Sequence, residues 1–128
     1  MDVDFDDLHF SDCYLSAPQF AGDELIVPVR VLFVVRDGAT LRDPMIKTGP
    51  YAGLMVFRGA VRAEQRISEY LDQPRKGMGF KTPRTLAYGA GPPAQPQYRF
   101  DGVQLEPVRA WIDWVVCAQH FEFRDDGS

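Results

Sequence analysis

No run of apolar residues in the chain approaches the ~18 that a membrane-spanning helix needs, so no such helix is expected. Cysteine is scarce, with Cys13 and Cys117 alone in 128 residues, and neither sits in a Cys-x-x-Cys pair. That spacing argues against a structural zinc site, and two free thiols are expected rather than a disulfide. Basic charge is in deficit, and the net charge of -4 argues against wholesale binding to nucleic acid or an anionic membrane, which needs a basic surface. The first seven residues, Met-Asp-Val-Asp-Phe-Asp-Asp, lack the basic start and apolar run of a secretory signal, so a cytoplasmic home is the expectation. Four serines are present and none lies in a Gly-x-Ser-x-Gly elbow. There is no Walker loop, no calcium-binding EF-hand pattern and no internal repeat. No cofactor is implied, and the balance of these absences leans away from an enzyme.

What the chain does have is a strong period of two. Across residues 24–36 the odd positions Leu25, Val27, Val29, Val31, Phe33 and Val35 are all apolar, while the even ones include Glu24, Pro28 and Arg30. Successive side chains on a strand point to opposite faces, so this alternation describes a strand buried on one side. β-branched and aromatic residues dominate it, as a packed pleated surface favours. Pro28 has no N–H and predicts an edge or a bulge at that point. At 128 residues, 45% apolar and 25% charged, the chain has the size and composition of one globular domain.

Before this strand, residues 8–15 read as a first strand and 16–23 as a turn region with Pro18 and Gly22. Residues 1–7 and 125–128 are acidic and expected to be mobile. Asp37-Gly38 signals a turn, and the stretch up to Pro50 reads as a loop. Residues 51–57 are apolar at both parities, which suggests a central strand. Residues 60–71 fit both a helical stripe and a continuing strand. The strand is favoured because no N-cap precedes them, with one short helix there as the alternative. Residues 72–97 hold five prolines and read as a long loop with room for a short strand near 85–88. A strand is expected at 98–107 and a last, long one at 111–123. The fold class is therefore all-β, an antiparallel β-sandwich or a partly closed barrel.

Three constellations carry possible chemistry. His120, Glu122 and Arg124 share one face of the last strand, and a histidine beside a carboxylate can act as an acid/base pair. A solvent-facing strand end explains them as simply, and His9 has no partner in the sequence. Cys13, Cys117, His9 and His120 bring at most three metal donors together if the first and last strands pair. The third constellation is Arg75, Lys76, Phe80, Lys81, Arg84 and Tyr88, basic and aromatic side chains within the glycine-rich 72–97 segment. Such a segment can clasp a partner, a phosphate or a single strand, or can simply be solvated. Trp111 and Trp114 differ in parity, so one belongs to the core and the other is available as a binding anchor.

Residues 54–61 (Leu-Met-Val-Phe-Arg-Gly-Ala-Val) and 111–118 (Trp-Ile-Asp-Trp-Val-Val-Cys-Ala), with Phe121-Glu-Phe123, resemble small bacterial single-domain β proteins of unknown function, some of them immunity-type partners of toxins. The resemblance assigns no functional residue. It implies a non-catalytic protein that binds and occludes a protein partner. The alternative is a small-ligand-binding β-barrel or sandwich with the 72–97 segment as its lid.

Overall fold

A computed structural model describes residues 3–10, 12–37, 45–59, 61–71, 79–90 and 96–125. Among these, all regular structure is extended apart from one 3₁₀ turn at Phe5–Asp7. The strands are β1 (Leu8–His9), β2 (Tyr14–Leu15), β3 (Gln19–Ala21), β4 (Glu24–Asp37), β5 (Met45–Arg58), β6 (Arg62–Glu69), β7 (Arg84–Tyr88), β8 (Gln97–Gln104), β9 (Ala110–Cys117) and β10 (His120–Asp125).

They make two layers. In the first, β4 pairs with β5 and β5 with β10, while β1, β2 and β3 lie end to end along the other side of β4. In the second, the order is β8-β9-β6-β7. The layers join where Tyr14 of β2 runs parallel to Val103 of β8; the other pairings are antiparallel. That one parallel pair makes the sheet mixed, and because β7 does not pair with β10 it does not close into a barrel.

The layers cross. Along β8, Tyr98 meets Phe121 of β10, Phe100 meets Phe57 of β5, and Val103 meets β2. Between them lies the core, a stack in which Phe57 and Phe100 are 5.7 Å apart at 6° and Phe100 and Trp114 are 6.0 Å apart at 20°. Leu25, Val27, Val29, Met55 and Ile112 close around it, each at most 1% exposed. At the seam the backbones approach so closely that a side chain at Gly102 would lie 2.7 Å from Cys13 Sγ, which explains the glycine.

The long alternating strand exists, with one departure. Its buried set is Leu25, Val27 and Val29, then Leu32 and Val34, so the inward parity switches between them. Val31 sits at φ 58 and the register with β5 shifts on either side of Leu32. One extra residue turns every later side chain over, which is why Val31, Phe33 and Val35 are not inward. Pro28 lies between the stretches of β4 that pair with β2 and β3. Its carbonyl accepts from Ser16 N at 3.0 Å, so its missing N–H points toward the same irregular gap.

Several expectations need correction. Residues 61–71 are not among them: the favoured strand is the one observed, Arg62–Glu69 being paired on both sides, and its alternating burial is the strand solution of an ambiguous pattern. The 8–15 strand is broken in two at Asp12, which has φ 62. Residues 45–50 extend β5 instead of forming a loop, and 38–44 lie outside the described residues. Residues 111–123 are two strands in different layers, divided at Ala118 and Gln119, where Gln119 N donates to the carbonyls of Arg58 and Gly59. Residues 3–7 are packed: the Phe5 ring lies 5.0 Å from Tyr98 and 5.2 Å from Phe121, and Val3 is buried.

Candidate functional site

The 72–97 segment contributes an edge. Residues 79–81 run antiparallel to 69–71, with Leu71 N donating to the carbonyl of Gly79 and Lys81 N to that of Glu69, each at 2.9 Å. After a one-residue slip at Thr82 and Pro83, β7 continues along β6, with Arg84 opposite Ile67 and Tyr88 opposite Ala63. Residues 79–88 thus line the border of the second layer.

At the 79–81 end, aromatic and cationic side chains gather. The Tyr70 and Phe80 rings are 5.0 Å apart, and the Arg109 guanidinium lies 5.4 Å from the Tyr70 centroid. Tyr70 N donates to the Arg109 carbonyl, which sets the two strands beside each other. One step along the same outer face is half-buried Trp111, whose Nε1 donates to Asp113 at 3.3 Å. Phe80 is 45% exposed, so a large apolar ring faces solvent beside Tyr70, while Leu71 and Lys81, one residue along from Tyr70 and Phe80, point to the other face of the sheet. Gly79 makes room for Leu71, whose Cδ1 would be 2.7 Å from any β-carbon there.

The other basic and aromatic candidates divide. Arg84 is exposed on β7. Tyr88 turns inward, where its hydroxyl donates to Gln65 Oε1 at 2.9 Å and its ring packs 5.5 Å from Trp114; burial raises its pKa. Tyr88 is thus an anchor for β7. Arg75 and Lys76 lie outside the described residues. Sequence reasoning reached Phe80 and Trp111 but missed Tyr70 and Arg109, which are distant in the chain and come together only through strand pairing.

Of the acid/base candidates, Glu122 and Arg124 belong to an ion network with Arg58 and Glu24. Arg58 donates to Glu24 and Glu122 at 2.8 Å each, and Arg124 lies 3.4 Å from Glu122. The hydrogen bond from Arg58 lowers the Glu122 pKa, away from that of a base poised near neutrality. The cysteines do not converge. Cys13 Sγ donates to the Asp101 carbonyl at 3.2 Å, and burial pushes its thiol up to about 12. Cys117 lies between Arg62 and Gln97 on the outer face of the second layer. Among the described residues no three His, Cys, Asp or Glu side chains gather as a metal site would need, and no helix is long and apolar enough to cross a membrane.

Surface clefts complete the picture. One of about 470 Å³ at the seam is lined by Tyr14, Ser16, Arg30, Leu105, Glu106 and Pro107, among others. Another, more open, of about 750 Å³, lies beside the acidic Asp4, Asp6 and Asp7. Comparison with protein-family models, with curated proteins and with solved structures finds no match to this chain.

Proposed function

We propose that this is a non-catalytic binding protein that takes a protein partner on the patch formed by Tyr70, Phe80, Arg109 and Trp111. The observation that carries this reading is the clustering of Trp, Tyr, Phe and Arg on a paired, hydrogen-bonded sheet end, with the Phe80 ring nearly half exposed. Protein interfaces concentrate their binding energy in those residue types, and rigid aromatics lose little entropy when they are covered. Arg109 favours a partner whose facing surface is apolar with an acidic group at its rim. Action by occlusion, in the manner of immunity-type proteins, needs only this patch and no chemistry. The cytoplasm, and a bacterial setting, belong to the same proposal.

The test is affinity capture with wild type beside Phe80→Ala and Arg109→Ala, with Arg30→Ala as a distant control. Each exposed side chain is removed without opening the core. A stoichiometric protein retained by wild type and by the control, and lost from the two patch variants, supports the reading. Capture that ignores the patch variants defeats it.

A second reading, small-ligand binding, is favoured by the 470 Å³ cleft, where Arg30 and Glu106 share a lining without pairing to each other. Ligand-induced shifts in melting temperature that Arg30→Ala abolishes would move the assignment there.

A further inference from the structure

The two borders of the sheet are defended differently. β10 carries His120, Glu122, Arg124 and Asp125, and charge along a border strand discourages pairing with another chain. β7 reads Arg-Thr-Leu-Ala-Tyr, with one charge in five residues, and its residues 84–87 are exposed on both faces. Nothing among the described residues pairs with its free side. Strands left open in this way are templates for another strand.

We infer that β7 pairs antiparallel with β7 of a second copy of this chain, about a two-fold axis at Leu86. The occupant follows from self-complementarity. In that register Leu86 meets Leu86 of the second copy, Thr85 meets Ala87 of the second copy, and Arg84 meets Tyr88 of the second copy. No like charges face each other, and the terminal pairs bring a guanidinium to a phenol ring, an attractive contact. Pro83, which has no N–H, and Gly89 at φ 74 bound the segment, so the pairing stops after five residues and does not propagate into a filament. The paired layers continue across the axis as β8-β9-β6-β7 and their symmetry mates. Because the axis passes through Leu86, Phe80 lies beyond the paired residues in both copies, and the dimer presents two outward patches. The inference is independent of what those patches bind.

One short strand pair is a small interface, so the dimer is a concentration-dependent equilibrium. Sedimentation velocity over a range from low to high micromolar reads it directly. Wild type is expected to move from monomer to dimer. Thr85→Lys with Ala87→Lys places two like-charge pairs across the axis and should weaken dimerisation roughly tenfold. Thr85→Glu with Ala87→Lys places opposite charges across the same axis and should retain or strengthen it. Both double variants alter exposed positions, and circular dichroism checks their fold. A wild type monomeric throughout the range overturns the inference, as does a dimer indifferent to both charge patterns. Loss of dimer in both double variants also overturns it, because the second preserves complementarity only in the proposed register.

Discussion

Asp101 of β8 and Asp113 of β9 are direct cross-strand partners on the outer face of the second layer. Opposed side chains of this kind have β-carbons ~5 Å apart, and like charges there repel. Trp111 Nε1 donates to Asp113, and it is Asp101 whose titration is perturbed. Its pKa is raised, first by partial burial and then by Asp113. Two unit charges ~5 Å apart interact by ~0.8 kcal/mol in water and ~3 kcal/mol at an effective dielectric constant of ~20. Both carboxylates are half-exposed, so screening keeps the value near the lower figure. Asp101→Asn removes the charge and keeps the shape, and should stabilise the protein by ~0.5–1 kcal/mol at neutral pH. The sign is set by the raised pKa. The contribution of Asp101 to stability is full below its unfolded pKa, ~3.9, and is lost as pH rises through the higher folded value. The gain from Asp101→Asn therefore vanishes in acid and opens between the two pKa values. Urea unfolding of both proteins across pH 3 to 8 (~0.15 M salt) measures it. A variant no more stable than wild type at pH 7, or a gap independent of pH, would refute the reasoning.

Other sites give simpler outcomes. Val31 is a β-branched residue at φ 58, a conformation that costs ~1–2 kcal/mol and that asparagine tolerates better, so Val31→Asn should be neutral or stabilising in urea unfolding. Val29→Asn, which puts an amide into the core two residues away, should cost more than ~2 kcal/mol. Gly102→Ala crowds Cys13 and Leu15 at the seam and should destabilise by ~1–3 kcal/mol in thermal unfolding. Cys13, fully buried and with its thiol pushed up to about 12, should resist thiol reagents at pH 8 until the protein is unfolded, which mass spectrometry of labelled peptides reads.

What the sequence revealed, and what it hid, has a physical logic. The alternation of Leu25, Val27 and Val29 is a local property of one strand and was legible. So was the two-sided burial of Met55, Val56 and Phe57, which sit between β4 and β10. Val31 gave no sign, because its neighbours continue the same apolar pattern. The break at Ala118 and Gln119 carries no glycine or proline, so two strands read as one. The 72–97 segment looked like a loop because its exposed edge strand has no buried face to impose alternation; only 85–88 stood out. Phe80 and Trp111 were visible as residue types. Their meeting with Tyr70 and Arg109 depends on β6, β9 and residues 79–81 pairing, which is long-range information.

The binding surface we propose is the Tyr70–Phe80–Arg109 patch. Amide hydrogen exchange of the protein alone and in its captured complex tests it most directly. Exchange is expected to slow at residues 68–71, 79–81 and 109–111 in the complex, with β10 and the Tyr14–Pro107 cleft unchanged. Protection confined to β10 or to that cleft, with the patch exchanging as in the free protein, would contradict it.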